Sequence, residues 1–78
     1  MPTILIVGPY RFFFYSSDAV EPPHIHVQSG SAAAKFWVEP ARLQSSKGFT
    51  ERQLRDILKI IEKHAALFER KWHEYFNS

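Results

Sequence analysis

The residues best suited to chemistry are His24 and His26, within Glu21-Pro22-Pro23-His24-Ile25-His26-Val27. Imidazoles two positions apart on a strand project to the same side, and imidazole exchanges protons near neutral pH. Metal-free RNA cleavage needs one group to take the 2′-hydroxyl proton, another to protonate the leaving oxygen, and a cation for the charge developing at phosphorus. His24, His26 and Lys35 can fill those roles, with Arg11 as an alternative cation. The same His-x-His spacing can bite a zinc ion, with Glu21, Glu39 or His73 as a third ligand, although so short a pattern also recurs by chance. His73 reads more simply as a rim residue suited to a helix C-terminus, and His64 as structural or interfacial.

The elements that must position these groups follow from periodicity. Pro22 and Pro23 impose an extended approach and remove two backbone donors, so no helix starts there. His-Ile-His-Val then alternates with the period of a half-buried strand, sending Ile25 and Val27 to the core and both histidines outward. Thr3 to Val7 is a first β-prone run, followed by the turn signal Gly8-Pro9 and a second strand from Tyr10 to Ser16. Residues 17 to 23 form a loop, and Ser29-Gly30 marks a hairpin. Ala33 to Glu39 is the fourth strand, and after Pro40 a short edge strand is expected over Ala41 to Gln44, with Ser45-Ser46-Lys47-Gly48 as loop.

Thr50 and Gln53 form a capping box, and Phe49 and Leu54 stand at the positions of a hydrophobic staple. Leu54, Ile57, Leu58, Ile61, Ala65, Phe68, Trp72, Tyr75 and Phe76 follow at helical spacing with no Gly or Pro between them. One long C-terminal helix over about 51–77 is expected, either bending near Lys63-His64-Ala65 or extending past a small sheet towards another subunit. The expected fold is α+β: one domain spanning residues 1–78, with a curved antiparallel sheet of four or five strands over about 3–44 packed on that helix.

If the helix covers Phe12, Phe14, Ile25, Val27, Ala34, Phe36 and Val38, the other face carries Arg11, Phe13, Tyr15, His24, His26, Gln28, Lys35, Trp37 and Arg42. Glu39 is its one expected carboxylate. The plain reading is the solvated side of a one-sided sheet. The sharper one is contact with RNA or a protein partner, rings stacking bases while Arg11 and Arg42 meet phosphates beside Tyr15 and Trp37.

Composition narrows the classes. The chain has 78 residues, 45% of them hydrophobic, with seven Phe, three Tyr, two Trp and no Cys. Without cysteine it has neither disulfides nor thiolate zinc sites, as suits a reducing cytoplasm. The net charge of +2 permits an acidic partner without demanding one. No apolar run approaches the roughly 20 residues of a membrane span, and Met1 to Val7 is too short for a signal peptide. No cofactor is expected, since Gly-rich phosphate loops, G-x-S-x-G and HExxH are all missing.

Tyr10-Arg11-Phe12-Phe13-Phe14-Tyr15-Ser16, Glu21-Pro22-Pro23-His24-Ile25-His26-Val27, Ala34-Lys35-Phe36-Trp37-Val38-Glu39-Pro40 and Trp72-His73-Glu74-Tyr75-Phe76, together with Pro2-Thr3-Ile4, resemble the small bacterial family catalogued as domain of unknown function 4160. Ala19-Val20 stands where members often carry polar residues. The resemblance implies a short cytoplasmic protein, often encoded beside a member of domain of unknown function 2442 in an arrangement like a toxin–antitoxin pair. The expected partner is therefore the small protein of an adjacent gene, and a homodimer or hetero-oligomer is expected. The resemblance implies no catalytic residues. The expected function is a component of such a module, its catalytic version a metal-independent ribonuclease. The alternatives are a non-catalytic antitoxin or regulatory module, and a small zinc-binding domain.

Overall fold

The computed structural model describes residues 3–15 and 19–76. Five strands, β1 (Thr3–Val7), β2 (Tyr10–Phe13), β3 (His24–Ser29), β4 (Ala32–Val38) and β5 (Ala41–Lys47), form one antiparallel sheet in sequence order. Two helices follow, α1 (Glu51–Lys63) and α2 (Ala65–Phe76). No helix among the described residues is long and apolar enough to cross a membrane.

Turn chemistry explains the meander. Gly8-Pro9 and Gly30-Ser31 each connect paired strands in two residues, and Gly8 and Gly30 adopt φ of +55° and +59°. A side chain at that φ is strained, and glycine is not. The prolines at 22 and 23 stop short of β3, but the Pro23 carbonyl still accepts the Val38 amide at 3.2 Å, extending the β3–β4 ladder by one bond. The second strand ends earlier than expected: Phe14 and Tyr15 lie beyond β2, and Ser16, Ser17 and Asp18 fall outside the described residues, as does residue 77 of the expected helix.

The seven core residues expected on the helix-facing side are all buried, with Ile57, Ile61, Phe68 and Trp72 packed against them. Phe14, although outside a strand, meets the Trp72 ring at 5.3 Å and the Phe76 ring at 5.9 Å. At roughly 25 cal/mol per Å² of apolar area, this ring-rich interior is the main force closing the helices onto the sheet.

Two expectations are corrected. β5 runs to Lys47, so Ser45, Ser46 and Lys47 are strand and not loop. Pairing with β4 overrides their weak strand preference, through a register shift near Lys35 and Phe36. The single long helix is also two helices. His64 (φ −110°, ψ 18°) separates them, and its Nδ1 donates at 2.9 Å to the Ile60 carbonyl, which also accepts the His64 backbone amide at 3.0 Å. A side chain inserted into the helical ladder is a recognised cause of such a break. As one straight rod, residues 51–76 would span about 39 Å at 1.5 Å per residue, longer than the molecule's greatest extent of 36 Å. The break thus answers the question of surplus helix length, which no longer argues for a partner. The capping box is present: the Gln53 amide donates to Thr50 Oγ1 at 3.1 Å, and the Thr50 amide to Gln53 Oε1 at 2.9 Å.

Candidate functional site

Strand register gathers the chemistry-bearing side chains into three rungs across the face opposite the helices. Arg11 stands opposite Gln28, which faces Ala33, which faces Lys47. The next rung holds Phe13, His26, Lys35 and Ser45, and the third His24, Trp37 and Arg42. Residues two apart share a side of a strand, so these rungs form one continuous surface.

The rings interlock. His26 stacks on Phe13 at 5.6 Å and 24°, and meets Tyr15 edge-on at 4.5 Å. It also meets His24 edge-on at 5.1 Å. Arg11 lies 4.4 Å above the Phe13 ring and donates to Gln28 Oε1 at 2.8 Å and to Thr3 Oγ1 at 3.0 Å. Lys35 Nζ lies 5.2 Å from the Trp37 ring centre and donates to Glu21 Oε1. Cations over ring faces are held by the ring quadrupole, so both cations are positioned rather than loosely solvated. Phe13, expected on an open surface, is 3% exposed. Arg11, Tyr15 and His26 screen it, and this side of the sheet carries a small ring cluster of its own.

His24 departs from expectation most. It shares the outer rung with Trp37, yet it has no exposed surface. Its ring lies 5.8 Å from Trp37 and 5.0 Å from Trp72 of α2, so the last turns of the helix reach around the start of β3 to cover it. Its Nδ1 lies 2.9 Å from the Pro22 carbonyl. A carbonyl only accepts, so this nitrogen carries the proton. A fully covered ring cannot meet a substrate without a rearrangement of the helix end.

The remaining expected residues stay accessible. Tyr15 is 42% exposed, Arg42 is exposed, and His26 and Trp37 are half-buried. The Lys35 side chain is only 19% exposed, behind Glu21. A shallow hollow of about 390 Å³ lies beside His26 and Lys35 and is floored by β5 at Ser45 to Lys47. A smaller one of about 260 Å³ lies beside Trp37, between Pro22, Pro23 and Pro40, with Arg42 and Glu39 at its rim.

Sequence reasoning missed Lys47, Trp72 and the placement of Glu21 in this site. A loop over residues 45–48 leaves Lys47 out of the face, and the apolar stripe gives Trp72 to the core, so only the closure of α2 brings it to His24. Glu21 precedes the strand, so alternation says nothing about its direction, yet its carboxylate reaches Lys35 and lies 3.7 Å from His24 Nδ1. Glu39 is therefore not the only acid here. No three His, Asp or Glu side chains gather closely enough among the described residues to hold a metal ion. The zinc alternative thus has no ligand set in this arrangement.

The model of the family described as Domain of unknown function (DUF4160) matches residues 10–73. The chain belongs to that family. The matched span begins at β2 and ends within α2, so it includes all three rungs and Trp72, and leaves β1 outside. No curated protein and no solved structure matches the chain.

Proposed function

We propose that this protein is the RNA-contacting member of a two-protein, toxin–antitoxin-like module, and that it binds RNA rather than cutting it. The observation that carries this reading is the set of three rungs with Tyr15 beside them, which places the rings of Tyr15, His26 and Trp37 among Arg11, Lys35, Arg42 and Lys47. Rings on a sheet stack bases in a sequence-tolerant way, while surrounding cations follow the phosphates. The two hollows beside this surface are shallow and open, unlike the enclosed pockets that hold compact small molecules. The two-protein setting rests on the family resemblance.

Binding is favoured over cleavage by His24. Acid–base cleavage by this pair needs two groups within hydrogen-bond reach of the substrate, and one of them is fully buried. His26 and Lys35 then remain, and Lys35 is engaged by Glu21. His26 acts as a stacking surface and hydrogen-bond donor, and Arg11, Arg42 and Lys47 supply the phosphate contacts.

The test is expression of the chain alone and together with the product of its adjacent gene, scoring growth, co-purification, and both the retention and the integrity of added RNA on the purified protein. The binding reading expects unimpaired growth with the chain alone, co-purification of the neighbour, and RNA that is retained intact. Growth arrest and RNA fragmentation that disappear in a folded His24→Ala/His26→Ala protein would establish the ribonuclease version instead. Co-purification without RNA binding would leave a protein-only adaptor, whose docking would draw on the exposed Ile6, Val20 and Leu43.

A further inference from the structure

We infer that Lys35 is a phosphate-binding position already filled by an internal carboxylate, that of Glu21, which incoming RNA must displace; this rests on the RNA-binding reading above. Lys35 stands at the centre of the middle rung, between His26 and Ser45. Its ammonium is directed by two contacts at once, the Trp37 ring at 5.2 Å and Glu21 Oε1. That same carboxylate oxygen lies 3.7 Å from His24 Nδ1. The position therefore accepts an oxyanion at a defined place, and its present occupant shows the chemistry.

The occupant is also the more exposed partner. The Glu21 side chain is 43% exposed and that of Lys35 19%, so the carboxylate lies over the ammonium from the solvent side. Glu21 belongs to the segment joining β2 to β3 and not to the sheet, so it can leave without breaking a ladder hydrogen bond. The carboxylate half of the pair is open to solvent, which screens it, whereas a phosphate brings a full charge and two or more acceptor oxygens to the same ammonium. The Lys35 ammonium thus lies against one ring and beneath an acid. A nucleotide bound here would place its phosphate on Lys35 and its base against Trp37 or His26.

The inference is tested by the affinity of Glu21→Gln for a labelled single-stranded oligoribonucleotide, measured by fluorescence anisotropy across a salt series. Asp56→Asn on α1 removes the same charge far from the face and is the control. Removing the competing carboxylate should tighten binding by about twofold to fivefold relative to Asp56→Asn, the range expected for an exposed ion pair. Lys35 meets a phosphate in wild type and variant alike once the carboxylate has left, so the slope of log affinity against log salt should change little between them. The gain should vanish in Glu21→Gln/Lys35→Gln, and there the slope should flatten by about 0.7. Because a carboxamide oxygen can still accept from Lys35, Glu21→Ala is measured alongside. If wild type binds and both Glu21 variants match Asp56→Asn in affinity, the inference is overturned and the RNA reading stands. If neither wild type nor the Glu21 variants bind RNA, the functional reading falls and takes the inference with it.

Discussion

Replacing His24 with alanine is the sharpest test of what that residue does. The ring has no exposed surface, lies within 6 Å of the Trp37, Trp72 and His26 rings, and bonds the Pro22 carbonyl through Nδ1. Truncating a buried ring in a close-packed site removes its apolar transfer and leaves a cavity, typically about 2–5 kcal/mol. The lost hydrogen bond adds about 1 kcal/mol, offset in part because the Pro22 carbonyl can turn to water. A loss of about 3 kcal/mol is expected. Total stability for 78 residues is roughly 4–12 kcal/mol, so the variant retains between about a quarter and three quarters of it. In urea unfolding followed by circular dichroism, with an m-value near 1 kcal/mol/M, the midpoint should fall by about 3 M. His26→Ala, at a half-buried ring, should lose only about 1 kcal/mol. A His24 variant within about 0.5 kcal/mol of wild type, or a His26 variant that is the more damaged, would refute the view that His24 braces the helix end against the sheet.

Gly48 adopts φ +89°, and a Cβ there would stand 3.1 Å from Ala32 Cα, so Gly48→Ala should destabilise by about 1–3 kcal/mol in thermal unfolding; an unchanged midpoint would contradict that close approach. Thr50→Ala removes the side-chain half of the capping box and should cost about 1 kcal/mol, with no measurable loss taken as evidence that the cap is unimportant. Because no three candidate ligands converge among the described residues, equimolar zinc should leave the melting temperature unchanged; a clear upward shift, reversed by chelator, would revive the zinc alternative. His64→Ala removes the Nδ1 bond to the Ile60 carbonyl and should raise helical ellipticity near residue 64. A drop would mean that the imidazole stabilises the end of α1 instead of interrupting the helix.

The core was legible because it obeys simple periods. Alternation in β2 to β4 and the 3.6-residue stripe of the helices named nearly every buried side chain, since both patterns have to be satisfied for a chain this small to close. The capping box was legible for a similar reason: it is a local contract between Thr50 and Gln53. Edges and ends were not. Ser45 to Lys47 joined β5 because β4 offered a ladder, which no local preference announces. His24 obeys alternation in register but not in burial, because Trp72, 48 positions away in the chain, closes over it. Glu21 lies outside any periodic element, so its contact with Lys35 follows from tertiary placement alone. Alternation therefore gives the rungs of β2 to β4, but neither their depth nor the arrival of Glu21, Lys47 and Trp72.

The claim that the rungs meet RNA is tested most directly by residue-level chemical-shift mapping on isotopically labelled protein during titration with a single-stranded oligoribonucleotide. The account predicts saturable shifts at Arg11, Tyr15, His26, Lys35, Trp37 and Arg42, weakened by salt, with the outward residues of α1 unmoved. Shifts confined to the helices, or none at low salt, would contradict it.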